Sequence, residues 1–352
     1  MISSRPFFPC AFLRIPPPAS LTDNPPIPTT LAIPVLGRPL PSFRFAYDRH
    51  VPRAMARGGF SRIIPAMHPA ELPLSQGWPA ELALGFVRRG EATVLAERRH
   101  RGPLRVQKAL YPEGEGVCQT ILLHPPAGIA GGDHLHIAAT VGEGAFAQLT
   151  TPGAGKWYRS AGPEASQTLD FSVAEGAVLE WLPQETIVFS GARARMETRV
   201  RLATDSRYLG WDILCLGRAA AGERFAAGRF DLHTRIERAG RPLWLERGGV
   251  AGDDALLHSP AGWAGATVCG TLLLAVPAVG TDPAWAGLLE ACRGVAPGDG
   301  AVHGLTAMPG LLVARYLGDN SEATRHWFTR LWEMLRPVLL GRPAVIPRIW
   351  NT

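Results

Sequence analysis

The sequence predicts a mainly β fold: a large antiparallel or mixed β-sheet domain, β-helix-like, with a few α-helices, two of them near the C-terminus. Three observations point there. From Gly77 onward, short apolar runs recur between Gly, Pro or Asp residues, as strands do between turns. No long helical pattern separates these runs, which argues for strand following strand and against a doubly wound sheet. Within residues 195–202 the side chains alternate, with Arg195, Glu197, Arg199 and Arg201 on one parity and Met196, Thr198, Val200 and Leu202 on the other. A strand places i and i+2 on one face, so this one turns a charged face to water and buries the other.

In chain order, residues 1–75 stand apart. They carry Pro-Pro and Pro-x-Pro clusters (Pro16 to Pro18, Pro25 to Pro28) and no apolar periodicity. Such a segment buries too little apolar surface to offset the entropy of ordering it. It is read as a disordered Pro/Arg-rich tail, or as a start assigned too far upstream, and the folded domain is placed at 76–352. No basic region leads into an apolar one, so it does not read as a secretory signal. Arg5, Arg14, Arg38, Arg44, Arg49, Arg53, Arg57 and Arg62, against Asp23 and Asp48, account for the whole formal charge of +6. The remainder from residue 70 onward is neutral and lacks the electrostatic footprint of a nucleic-acid binder. No apolar run reaches the ~18 residues of a membrane helix. Five cysteines (Cys10, Cys118, Cys215, Cys269, Cys292) are widely spaced with no CxxC. That excludes a disulfide framework and a structural zinc site, and favours a cytoplasmic location.

Strands are expected at 82–88, 105–110, 118–123, 135–141, 145–150, 167–173, 178–182, 195–203, 225–237, 243–248 and 267–276. The close succession is read as antiparallel pairing. Helices come late. Asp282 is a cap and Pro283 a first helical residue, leading into 284–292 and ending at Gly294. A second helix spans 321–340, capped by Ser321, with Pro337 kinking or stopping it near its last turn and Gly341 beyond. Its stripe of Trp327, Leu331, Met334 and Leu335 is read as core.

Motifs for chemistry are sparse. Thr151-Pro-Gly-Ala-Gly-Lys156 fails as a phosphate loop, because Thr150 stands where the first Gly is needed and Trp157 follows Lys156. His134 and His136 share one strand face, with Asp133 and His124 nearby in sequence. Two such histidines are solvent-facing side chains or metal ligands. Ser160 and Ser190 lack a context that implies activation by a base. No catalytic residue and no tight metal site are expected.

Four blocks carry a family resemblance. His124-Pro-Pro-Ala-Gly-Ile-Ala-Gly-Gly-Asp133 resembles the signature of the UreD family, also called UreH. Leu149-Thr-Thr-Pro-Gly-Ala-Gly-Lys-Trp-Tyr-Arg-Ser160 and Leu182-Pro-Gln-Glu-Thr-Ile187 resemble two further blocks. Leu335-Arg-Pro, Gly341-Arg-Pro and Pro347-Arg-Ile-Trp-Asn-Thr352 resemble the family's ending. The resemblance covers residues 77–352. It implies a β-rich fold and a non-catalytic urease accessory protein, a chaperone of nickel insertion that binds UreF directly, UreG through UreF, and the urease apoprotein. It implies transient passage of Ni²⁺ through an internal tunnel, with no tightly bound cofactor. The candidate path residues are Asp133, Glu185, His124, His134 and His136. Gly131, Gly132, Thr151, Pro152, Lys156, Tyr158 and Arg159 are candidates for a structural or partner-binding motif. Gly131 and Gly132 permit a positive φ or a close approach, which holds Asp133 on a sharp turn. Asp133 and Glu185 either line a polar path or cap turns. A conduit for a cation requires sparse, weak ligands, since a tight cage would trap it. The rival readings are an enzyme with an unrecognised hydrolytic site around His124, Asp133 and Glu185, and a purely structural β module.

Overall fold

The computed structural model describes residues 77–283 and 285–351, so the expected tail over residues 1–75 lies outside the described residues. The first strands are β1 (Pro79–Arg89), β2 (Ala92–Arg101), β3 (Arg105–Leu110), β4 (Cys118–Leu123), β5 (His134–Val141) and β6 (Phe146–Thr150). Next come β7 (Gly155–Trp157), β8 (Ala165–Val173), β9 (Val178–Leu182), β10 (Thr186–Val188), β11 (Arg193–Leu202) and β12 (Arg207–Arg218). The rest are β13 (Glu223–Arg224), β14 (Arg229–Arg238), β15 (Arg241–Ala251), β16 (Val268–Ala275), α1 (Trp285–Arg293), β17 (Val302–Met308), β18 (Leu311–Gly318) and α2 (Ser321–Leu340).

Two sheets take these strands, one seven-stranded in the order β15-β14-β11-β8-β5-β1-β2, the other eleven-stranded along β17-β18-β16-β12-β9-β6-β4-β3. The chain winds between them as a β-solenoid: β4, β6, β9 and β12 lie in the second sheet, and β5, β8, β11 and β14 in the first. Strands close in sequence therefore belong to different sheets and pair with the strand one coil away. The centre of each sheet is parallel, as in β5 with β8 and β6 with β9. Antiparallel pairing is confined to the flanks, such as β1 with β2 and β14 with β15. The sheets are thus mixed and β-helix-like, as the fold class expected, and only the antiparallel reading of the close succession is corrected. The short turns after β5, β8 and β11 are bends between layers, not hairpins. They stack on one another, with Ala174 N donating to Val141 O and Ala203 N to Val173 O, each at 2.9 Å. Gly144 (φ 61°) and Gly176 (φ 63°) supply the left-handed residue in the first two.

The seven-stranded sheet shows the expected alternation, with β11 burying every second residue. The eleven-stranded sheet is covered on both faces, and β6 and β9 are buried throughout, as expected of parallel strands sandwiched between layers. One core fills the gap between the sheets, with Leu82, Phe171, Trp181 and Phe230 among its side chains. A second core joins the other face of the eleven-stranded sheet to α1 and α2 through Trp211, Trp327, Phe328 and Trp332. The strands outside the expected ranges are the short β7, β10 and β13, together with β2, whose second half is charged, β12, which is apolar on both parities, β17 and β18. The strand expected at 225–237 begins only at Arg229.

The α2 cap is Asn320, not Ser321: its side chain accepts from Ala323 N at 3.0 Å. The helix runs past Pro337 to Leu340, and Gly341 (φ 61°) closes it by donating to Pro337 O at 2.9 Å. Trp327, Leu331 and Leu335 are buried as the stripe predicts.

Candidate functional site

Three connections from the eleven-stranded sheet to the next coil lie together at one end of the solenoid, and three of the four sequence motifs form them. Residues 124–133 join β4 to β5, residues 151–164 run from β6 to β8, and residues 183–192 run from β9 to β11. Backbone hydrogen bonds stack them: Ile129 N donates to Lys156 O (2.7 Å), Tyr158 N to Ile129 O (2.9 Å) and Gly155 N to Glu185 O (2.8 Å). The small residues follow from this stacking. A side chain at Gly128 would strike the Tyr158 ring, and one at Gly131 would strike Ser160 Oγ at 2.3 Å. Gly132 holds φ at 93°.

Asp133 sits on this turn and its carboxylate is engaged there. Oδ1 accepts from Trp78 N at 2.8 Å, and Oδ2 from Ala130 N at 2.9 Å. These bonds fix the start of β5 beside β1. His124 is half-buried; burial lowers its pKa, opposed by the charge of Asp133. His134 and His136 lie on the outward face of β5, both exposed, with His134 Nδ1 2.8 Å from Ser166 Oγ. Glu185 lies at the α2 side of the eleven-stranded sheet, 3.5 Å from Arg325 Nε. Beside it burial pushes the Cys215 thiol up to about 12, with the Glu185 charge adding and the Ser321 hydrogen bond opposing. Thr151 Oγ1 accepts from Gln184 N at 3.0 Å and ties two motifs together. Pro152 and Arg159 are exposed, Lys156 is half-buried, and the Tyr158 ring meets Phe189 edge-on at 5.2 Å. Among the described residues no three His, Cys, Asp or Glu side chains are grouped as a metal site would need.

The polar groups that the sequence reading did not single out lie inside, between the sheets. On β12, β16 and β18 the register aligns Asp212 with Thr271 and Thr271 with Arg315. On the opposite sheet it aligns Thr198 with Thr234 and Thr234 with Glu246. Each residue has the inward parity of its strand, so two polar rows line one gap. Arg315 crosses it: Nη2 donates to Glu246 Oε1 at 2.6 Å and Nη1 to Thr271 Oγ1 at 2.8 Å. Glu246 Oε2 accepts from Trp244 Nε1 at 3.3 Å, and the guanidinium lies 5.7 Å from the Trp244 ring. Tyr208 folds over Gly210, where an added Cβ would lie 2.1 Å from its hydroxyl. Burial raises that phenol's pKa, and the charge of Asp212 adds to it. Burial also pushes the Asp212 carboxyl up to about 7, with Glu246 adding and Arg315 opposing. Thr198 Oγ1 is buried and has no hydrogen-bond partner among the described residues, a costly setting unless something polar meets it.

A second buried network serves packing. Gln119, Gln148 and Glu180 are register neighbours on β4, β6 and β9. Gln119 Nε2 donates to Gln148 Oε1 (2.6 Å), and Gln148 Nε2 to Glu180 Oε2 (2.7 Å). From α2, Arg336 pairs with both Glu180 (2.9 Å) and Glu113 (2.7 Å).

Comparison with known proteins decides what this scaffold is. A model of the UreD urease accessory protein family matches residues 79–351. The chain belongs to the UreD family. Urease accessory protein UreD of Dechloromonas aromatica (strain RCB) is 70% identical over 288 residues, spanning 80% of this chain and 99% of that protein. The UreD of Azoarcus sp. (strain BH72) is 55% identical over 287 residues, 82% of this chain and 97% of its own length. That of Pseudomonas savastanoi pv. phaseolicola is 53% identical over 285 residues, 81% and 99%. The UreD match runs from the first residue of β1 through both sheets and α2, so it includes the motif loops and both polar rows.

Proposed function

We propose that this chain is a non-catalytic scaffold of urease maturation that conducts Ni²⁺ between its two sheets towards the urease apoprotein. It works in the cytoplasm, bound to UreF directly and to UreG through UreF. Membership of the UreD family and relatives named urease accessory proteins support the setting. No helix among the described residues is long and apolar enough to cross a membrane, in keeping with that setting. The observation that carries the conduit is the inter-sheet pair of polar rows: Asp212, Thr271 and Arg315 facing Thr198, Thr234 and Glu246.

A β sandwich core gains by excluding such groups. A cation in transit needs them, because each step must replace part of its water with oxygen ligands. The ligands must also be few and weakly held, or the ion stays. Two carboxylates with hydroxyls between them meet both needs. Asp133 and Glu185 then act on the frame: Asp133 holds the bend into β5, and Glu185 anchors its loop to α2 through Arg325.

The test uses a urease-positive host lacking its own UreD, supplied with this chain as wild type, Asp212→Asn or Glu246→Gln. Nickel bound to purified urease is counted, and co-purification with UreF is followed in parallel. Each variant is expected to assemble normally and to lower urease nickel by about tenfold, the scale seen when supporting groups of metal sites are removed. Urease filled normally by both variants would sink the conduit.

A further inference from the structure

Arg315 is an odd lining for a cation's route, since it places a fixed positive charge against Glu246 and beside Thr271. Its setting explains it. The side chain is bonded at both ends of its fork, to Glu246 and Thr271. It is nonetheless one long flexible side chain, and it lies against an aromatic face at Trp244 that can hold a guanidinium by cation–π attraction. Arg315 and Glu246 are both half-buried, with 17% and 13% of their side-chain surface accessible, so the pair is neither locked in the core nor dispersed in solvent.

We infer that Arg315 is a tethered competitor for the passing cation: it neutralises Glu246 between passages, gives way when Ni²⁺ enters, and returns to displace the ion onward. This rests on the conduit reading and adds its release step. Two carboxylates alone would attract a divalent cation and hold it. A charge that re-pairs with Glu246 keeps each stay short, and Thr271 gives the fork a second partner when Glu246 is engaged. No bond is made or broken covalently; a guanidinium and a divalent ion exchange on the same oxygens.

The experiment measures Ni²⁺ affinity of the full-length chain by competition with a chromophoric chelator, alongside nickel delivered to urease in the complementation host. Arg315→Gln removes the competitor. It is expected to bind Ni²⁺ about tenfold tighter than wild type, equivalent to about 1.4 kcal/mol, while urease receives less nickel. Arg315→Met, which repacks on Trp244, replaces it if the glutamine variant fails to fold. Arg315→Lys keeps the charge and is expected to bind Ni²⁺ as wild type does. A merely structural ion pair would weaken the fold without tightening Ni²⁺ binding. Neutral variants that bind no tighter, with Asp212→Asn and Glu246→Gln still lowering urease nickel, overturn the role of Arg315 and leave the conduit standing. Normal loading by the two acid variants overturns the conduit and this inference with it.

Discussion

Asp212 and Glu246 are carboxylates in a place from which a β core ordinarily excludes them. Their setting has a measurable consequence apart from nickel. Folded Asp212 keeps its proton up to about pH 7, whereas its ordinary value is 3.8. Between those values the folded chain holds a proton that the unfolded chain has released, so the site's contribution to stability is full below about pH 4 and is lost as pH rises to about 7. The upper bound is about 4 kcal/mol. Asp212→Asn cannot titrate. Chemical unfolding at pH 5 and pH 8 should therefore show the variant gaining on wild type as pH rises, and parallel profiles would contradict the buried setting.

Neither residue was legible in the sequence. Glu246 belongs to a strand whose pattern is inverted: Leu245 is 62% exposed while Glu246 points inward. Asp212 lies in a run that is apolar on both parities and so gives no alternation. The motif residues were legible as a group, and Asp133 shows why a role is harder to read: its bond from Ala130 N is local, but its partner Trp78 N lies 55 residues away and is set by the fold.

At the scale of elements, α2 is held to the eleven-stranded sheet by more than its apolar stripe. Arg336 is fully buried between Glu180 and Glu113, over the Phe146 and Trp332 rings. Burial raises the Glu180 carboxyl, while Arg336, with hydrogen bonds from Trp332 and Gln148, opposes it. Arg336→Met keeps much of the volume but leaves two carboxylates buried without their counter-charge. The expected loss is roughly 3–5 kcal/mol in chemical unfolding; a loss below about 1 kcal/mol would mean that the stripe alone docks the helix. Most strands and both helices were readable from turn residues, caps and alternation. Their partners were not, because a parallel coil and an antiparallel meander use the same short apolar runs. One signal was present: Val141-Gly-Glu-Gly-Ala145 and Val173-Ala-Glu-Gly-Ala177 repeat at the solenoid's tight turns, and a recurring turn about thirty residues apart marks a coil.

For the whole molecule, the solenoid explains how one chain presents loops and encloses a polar gap at once. Each coil sends its long connection to one end, where the family's motifs stack, and leaves its inward side chains between the sheets. Loops at that end expose residues such as Pro152 and Arg159, whereas the gap lies between two layers of strands. The most direct test converts the proposed weak-ligand path into a trap. Thr234→His places an imidazole beside Glu246 in the register, and imidazole with a carboxylate binds Ni²⁺ far better than a hydroxyl does. In the complementation host, with UreF co-purification intact, nickel should remain on this chain while urease is left nickel-poor. A variant that stays free of nickel and fills urease as wild type does would show that the ion never passes between the sheets.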